Sequence, residues 1–159
     1  GNANSFQFLA GGLTNDISFD ATSSVTFGAV RNSGTGHSAL ARLVIGRNGS
    51  YFISNNTVTV GTTYSNTLNF GNLTTLGWLN YDPSTSISTL GSAATPTLDE
   101  IDYVGVFLNM SLTTSATNGN KDLALGRLTV DAIPEPSASL LLAVGLTALV
   151  VFRRRRALA

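Results

Sequence analysis

The fold class is decided by residues 40–53, LARLVIGRNGSYFI. The two apolar halves of this stretch meet at Asn48-Gly49, a dipeptide typical of type I′ hairpin turns because both central residues need positive φ. We therefore predict a β-hairpin in which Arg42–Ile45 pairs with Tyr51–Ile53 across that turn. The apolar run from Leu40 to Ile45 is interrupted only by Arg42, which favours a central strand covered on both faces.

Short apolar stretches separated by Ser, Thr, Asn and Gly continue on both sides of this hairpin. Apolar and polar residues alternate, as in half-buried strands, in Ile17–Ala21, Val25–Phe27, Thr57–Val60 and Leu68–Phe70. A second evenly apolar run, Tyr103–Met110, is typical of another central strand. Before residue 137 no stretch has a sustained helical period, and we expect at most one helical turn, at Leu98–Ile101. The pattern predicts an all-β fold, a two-sheet antiparallel sandwich, jelly-roll-like, of about eight to ten strands.

Charge and cysteine content exclude several classes of function. Charged residues make up 11% of the chain, and four of the nine basic residues are Arg153–Arg156, which leaves five basic against nine acidic residues elsewhere. A mildly acidic body predicts no nucleic-acid partner, because phosphate binding needs clustered Lys and Arg. The chain has no cysteine, which excludes disulfides and thiolate metal sites. It begins at Gly1 with no signal peptide, so either the signal has been removed or the chain is a fragment.

The C-terminal segment has a different composition from residues 1–131. Pro134 and Pro136 make an extended break, and the apolar stretch 137–152 ends directly at Arg153–Arg156. As a helix, 137–152 would span roughly 24 Å, somewhat less than a hydrocarbon core of about 30 Å. We predict an extracytoplasmic domain at 1–131 and a tail at 132–159 with one transmembrane helix, its arginines on the cytoplasmic side. The alternative is a buried core helix.

The order of Pro134-Glu135-Pro136, apolar helix and terminal arginines resembles the PEP-CTERM sorting signal of Gram-negative, biofilm-forming bacteria. The resemblance covers residues 133–159. It implies export by the general secretory route, anchoring in the inner membrane by the tail, and processing near the motif by an exosortase, which is the implied partner. Pro134, Glu135 and Pro136 would be read by that enzyme, and Arg153, Arg154, Arg155 and Arg156 would hold the cytoplasmic stop. The processed domain would then reach the cell surface or the extracellular space. The alternative is a plain membrane anchor in which Pro-Glu-Pro is only a linker.

Catalytic signals in the body are weak. His37 is the only histidine, and a lone loop histidine is more often an ordinary solvated residue. No nucleophile-elbow, zincin or P-loop pattern is present. We predict no enzyme activity and no cofactor. Asp99, Glu100 and Asp102 are the first candidates for a hard cation or a glycosidase carboxylate pair, although a solvated turn before the strand at Tyr103 is the favoured interpretation.

Trp78, Tyr81 and Asp82 are the candidate sugar contacts, because an aromatic platform beside a carboxylate can stack on a sugar and hydrogen-bond to it. A single Trp in a domain is more often part of the core. Residues 99–108 and 123–130 also bear a weak similarity to the closing strands of concanavalin-like or carbohydrate-module jelly rolls. The leading hypothesis is a non-enzymatic exported surface or matrix protein. The others are a carbohydrate-binding module acting in exopolysaccharide, with polysaccharide as partner, and a glycosidase fragment.

Overall fold

The predicted hairpin is formed by strands β4 (His37–Arg47) and β5 (Ser50–Ser54) of the computed structural model. Asn48 has φ 50° and Gly49 has φ 77°, and Arg47 pairs with Ser50 directly across them. Both central residues are thus left-handed, as a type I′ turn requires, and the hairpin prediction is confirmed. The structure describes residues 4–10, 13, 15–32, 37–84, 90–112 and 122–134.

The described residues contain ten further strands, several of them only two residues long. They are β1 (Asn4–Ala10), β2 (Ile17–Ser18), β3 (Ser24–Asn32), β6 (Val58–Thr59), β7 (Ser65–Asn69), β8 (Trp78–Tyr81), β9 (Ala93–Ala94), β10 (Tyr103–Leu112), β11 (Asp122–Asp131) and β12 (Ile133–Pro134). A seven-stranded antiparallel sheet has the order β1-β10-β4-β5-β8-β9, with β6 also paired to β4. A three-stranded sheet has the order β11-β3-β7, and β12 pairs with β2.

The main hydrophobic core lies between the seven-stranded and three-stranded sheets. Strand β3 contributes Val25, Phe27 and Ala29, and the facing strands contribute Ala39, Ala41, Leu43, Ile45, Val104, Val106 and Leu108. All of these are at most 4% exposed, and each buried large aliphatic or aromatic side chain stabilises the fold by about 1.5–3 kcal/mol. The ring of Phe27 stacks on that of Phe70 with centroids 5.3 Å apart. The prediction of an all-β, two-sheet antiparallel sandwich is confirmed.

Strand β4 changes partner along its length, and Ser54 supports the change. Residues Val44–Arg47 pair with β5, whereas Leu40 and Ala41 pair with β6. Between these two ladders the hydroxyl of Ser54, which is fully buried, accepts a hydrogen bond from the Leu43 N–H at 3.0 Å. The same hydroxyl donates to the carbonyl of Asn56 at 2.8 Å. A side chain therefore replaces the missing ladder partner at this point.

One local expectation differs from the structure. The single helical turn predicted at Leu98–Ile101 is wrong, because this segment is a bend in which Glu100 has φ 50° and Ile101 bridges to Ile17. A short 3₁₀ turn occurs instead at Leu73–Thr75, where the side chain of Asn72 caps the Thr74 N–H. Within the described ranges we find no helix with the length and hydropathy that a membrane crossing requires. The transmembrane helix predicted at 137–152 lies outside those ranges.

Candidate functional site

Tyr51 and Tyr103 meet on the outer face of the seven-stranded sheet, above Gly46. Gly46 pairs with Tyr103 on one side and with Tyr51 on the other. The two rings pack edge to face, with centroids 5.4 Å apart and planes at 86°, an arrangement that aromatic quadrupoles favour. A Cβ on residue 46 would lie 2.6 Å from the Tyr103 Cβ and 3.1 Å from the Tyr51 Cε1. The glycine therefore makes room for the pair.

Tyr81 extends over the same face from strand β8. Its ring lies 6.3 Å from that of Phe107 at 61°, although β4 and β5 separate their two strands in the sheet. Both rings must therefore lean across the sheet toward each other. With Leu79 they pack against Val44 and Ile53, each 0% exposed, in a second hydrophobic cluster. The outer face of this sheet thus has a small core of its own.

The hydroxyl of Tyr81 is buried and has no hydrogen-bond partner among the described residues. Desolvation by burial, with smaller contributions from Tyr103 and Asp82, raises the pKa of Tyr81 to about 12. The phenol is consequently neutral throughout the physiological range. An unpaired buried hydroxyl is costly, which makes this end of the cluster a place where a polar partner would be stabilising.

A cavity of about 350 Å³ opens beside these tyrosines, next to the β4–β5 turn. It is lined by Gly49, Ser50, Tyr51, Asn80, Tyr81, Asp82 and Pro83. Its volume is at the lower end of the range for small-molecule sites, about 300–1,000 Å³. The carboxylate of Asp82 accepts from the hydroxyl of Ser84 at 2.6 Å and from its N–H at 2.9 Å. These bonds, the first being the stronger, lower the pKa of Asp82, so the rim carries a negative charge.

The predicted sugar-contact residues separate in the structure. Trp78 is 6% exposed and packs in the main core, whereas Tyr81 and Asp82 line the cavity. Trp78 and Tyr81 are three residues apart on one strand, so they project from opposite faces. The site residues that the sequence analysis missed are Ser50, Tyr51 and Asn80. The signal for Tyr51 was the predicted hairpin, which puts its side chain at the turn beside the cavity.

The acidic cluster stabilises the same turn. Arg47 forms ion pairs with Asp99, Nε to Oδ1 at 3.3 Å, and with Glu100, Nη2 to Oε2 at 2.7 Å. Asp102 accepts the Asn48 N–H at 3.0 Å. The pKa of Asp99 is lowered, chiefly by a hydrogen bond from Thr97. No set of three potential metal ligands converges within the described ranges. The acidic cluster thus forms a turn before the strand at Tyr103 and contacts the β4–β5 hairpin. A cation bound there stays a prediction.

Beyond β11 the chain remains attached to the domain. Ala132 is half-buried and packs against the main core, and β12 pairs with β2 in the register Ile133↔Ser18 and Pro134↔Ile17. Ile17 is in turn held by two backbone hydrogen bonds to Ile101, at 3.0 Å and 2.9 Å. The side chain of Ile133 is 49% exposed. The C-terminal end of the described chain is therefore a strand at the domain surface.

Residues 132–156 match the family model of the PEP-CTERM protein-sorting motif. The chain carries a PEP-CTERM sorting motif. It implies a membrane-anchored precursor, processing by an exosortase, which is a membrane enzyme, and a final place on the cell surface or outside the cell. The match confirms the resemblance identified in the sequence. Neither the curated proteins nor the solved structures that were compared give a match to the chain, so the similarity of the body to concanavalin-like modules stays a prediction.

The PEP-CTERM match contains all three residues of the predicted recognition tripeptide and the four arginines. Of these, only Pro134 lies within the described residues, in β12. Glu135, Pro136 and Arg153–Arg156 lie outside them, so the roles predicted for these side chains stay predictions. The boundary predicted between residues 131 and 132 falls between β11 and β12.

Proposed function

We propose that this chain is a non-enzymatic surface or extracellular-matrix protein of a Gram-negative bacterium, delivered by its PEP-CTERM tail. The observation that carries the proposal is the matched motif at residues 132–156, which begins at the last described strand of a folded β-sandwich. In the precursor the sandwich faces away from the cytoplasm, the apolar segment 137–152 crosses the inner membrane, and Arg153–Arg156 stay in the cytosol. This orientation follows from the preference of clustered basic residues for the cytoplasmic side.

Structural roles for five of the described carboxylates support the proposal that the domain is non-enzymatic. Asp20 accepts hydrogen bonds from the N–H groups of Thr22 and Ser23 within its own turn. Asp82 likewise accepts a hydrogen bond from the N–H of Ser84. The acidic cluster at residues 99–102 contacts Arg47 and the Asn48 N–H. These carboxylates are used to hold loops, which is a common role of Asp in turns.

The intact mass of the mature protein tests this proposal. In a host with an exosortase we expect a mass that has lost the tail, and we expect Glu135→Ala or deletion of Arg153–Arg156 to prevent that loss. Glu100→Ala is the matched control, because it removes the other glutamate of the chain and leaves the motif unchanged. A mature protein that keeps its tail in such a host would overturn the proposal.

A second candidate function, carbohydrate binding in exopolysaccharide, is favoured by the cavity beside Tyr51 and Tyr81. The tyrosine rings offer apolar surface for the C–H face of a sugar, and Ser50, Asn80 and Asp82 supply donors and acceptors for its hydroxyls. A cavity of about 350 Å³ with this mixed lining fits a small polyol better than a purely apolar ligand. The alternative of a glycosidase fragment has no comparable observation in its favour.

Retention on a polysaccharide column tests the second candidate. We expect retention to be lost on Tyr51→Ala and on Tyr81→Ala. Tyr64→Ala is the matched control, because Tyr64 is 53% exposed and is not among the residues that line the cavity. Trp78→Ala would report on folding, since Trp78 lies in the core. Absence of retention on a broad panel of bacterial polysaccharides, or equal loss in the Tyr64 variant, would count against sugar binding.

A further inference from the structure

The sorting motif and the folded domain share residues. The match to the motif begins at residue 132, but Ala132 packs against the main core, and Ile133 and Pro134 pair with β2. The sequence motif therefore has its first three residues inside the structural domain. An enzyme that reads the motif from Pro134 onward must engage at least one residue that the domain already holds.

The hydrogen-bond pattern of β2 explains why a proline is accepted in this pairing. The N–H and C=O of Ile17 are both used by Ile101. Because successive residues of a strand direct these groups to opposite sides, those of Ser18 face β12. Ser18↔Ile133 is then the pair that exchanges hydrogen bonds. Pro134 stands opposite Ile17, where its missing N–H costs no ladder bond.

We propose that the pairing of β12 with β2 is a clasp that restrains processing of the precursor. The clasp comprises Ile17, Ser18, Ile133 and Pro134. Peptide-bond-cleaving enzymes act on extended segments that have left their native contacts, so the rate follows the population of the opened form. The exosortase therefore competes with β2 for Ile133 and Pro134, and processing proceeds when β12 detaches. This inference rests on the proposed sorting function.

A disulfide across the clasp provides the test. In the hydrogen-bonded pair Ser18↔Ile133 the Cα atoms are expected to be about 5.5 Å apart, within the range of about 4.4–6.8 Å that a disulfide spans. The chain has no other cysteine, so Ser18→Cys with Ile133→Cys gives a single defined cross-link. The control pair, Thr26→Cys with Asn69→Cys, links two strands that are partners in the other sheet.

Processing is measured on the full-length precursor in proteoliposomes that contain an exosortase, with and without reductant. We expect the oxidised clasp variant to be processed more slowly than the oxidised control by at least about tenfold, because the enzyme reaches only the opened form. Reductant is expected to restore its rate to that of the single variant Ile133→Cys. Equal rates for the oxidised clasp and control variants would overturn the clasp. No processing of the unaltered precursor would instead overturn the sorting function.

A second variant tests whether a weakened clasp speeds processing, and it does so without altering the matched motif. Ser18→Pro removes the N–H that faces Ile133, and the net contribution of one hydrogen bond corresponds to about two- to tenfold in the opening equilibrium. We expect processing to accelerate by that factor while the melting temperature of the core changes little. An unchanged or slower rate with the core intact would contradict the proposal. If Ser18→Pro unfolds the core, the comparison of the oxidised clasp variant with the oxidised control tests the proposal in its place.

Discussion

Substitution of Ser54 by alanine should destabilise the domain far more than the loss of one small side chain suggests. The buried hydroxyl of Ser54 accepts the Leu43 N–H and donates to the Asn56 carbonyl. Leu43 is 0% exposed, so water cannot replace the lost acceptor, whereas Asn56 is exposed and its carbonyl can be solvated. The cost is then that of one buried unsatisfied N–H, about 1–3 kcal/mol.

This cost translates into a measurable shift of the melting temperature. For a folded domain of this size, with an unfolding entropy of about 2.1 cal/mol/K per residue, 2 kcal/mol lowers Tm by about 7 °C. The emission of Trp78, the single tryptophan of the chain and a buried one, reports unfolding of the full chain in a mild detergent. Ser50→Ala is the matched control, because Ser50 is an exposed residue at the other end of the same strand.

The outcome tests whether the side chain of Ser54 supports the change of partner along β4. If Ser54→Ala costs less than about 0.5 kcal/mol, as is usual for surface substitutions, Leu43 N–H must have another acceptor and the role assigned to Ser54 is wrong. The same conclusion follows if Ser50→Ala has an equal effect. A large effect confined to Ser54 would show that its side chain substitutes for the missing β-ladder partner.

Two further predictions concern the tyrosines on the outer face. Gly46→Ala should destabilise the fold by about 1–3 kcal/mol, because the new methyl group overpacks against Tyr103 and Tyr51; urea unfolding measures this, and an unchanged midpoint would show that the ring pair has room to move. The four tyrosines can be titrated spectrophotometrically. We expect one ionisation step at about pH 12, and we expect that step to be absent in Tyr81→Phe. Since this folded-state pKa is raised, the stabilisation from neutral Tyr81 is complete below about pH 10 and is lost as the pH rises toward 12. Stability that is flat between pH 10 and 12 would contradict the burial of this hydroxyl.

The sheet architecture could be predicted from the sequence because the patterns that indicate it lie in short, continuous stretches of the chain. Asn48-Gly49 specifies a turn through its own φ angles, and the run from Leu40 to Ile45 marks a strand with both faces covered. Val44 is indeed buried on the outer face, and Leu43 on the inner face. The prediction at Leu98–Ile101 failed because Ile101 takes part in a non-local bridge to Ile17, which a local pattern does not contain.

Only part of the candidate site could be predicted from the sequence. Tyr81 and Asp82 are neighbours in sequence, and they share the cavity. Tyr51 joins them because β5 and β8 are adjacent in the sheet, with Tyr51 paired to Tyr81, although the two residues are far apart in the chain. Trp78 was grouped with them by proximity alone, and strand alternation places it on the other face. The pairing of β12 with β2 likewise joins the two ends of the domain and leaves no local signature.

The position of β10 in the sheet has a consequence for the order in which the domain folds. This strand lies between β1 and β4, so these two strands cannot be joined until residues 103–112 are present. Such distant pairings make folding slow, because large loops must close before contacts form. The sandwich therefore cannot be completed before residues 103–112 have joined β1 to β4. Until that strand is in place, β1 and one edge of β4 have no partner, and unpaired strand edges of this kind promote aggregation.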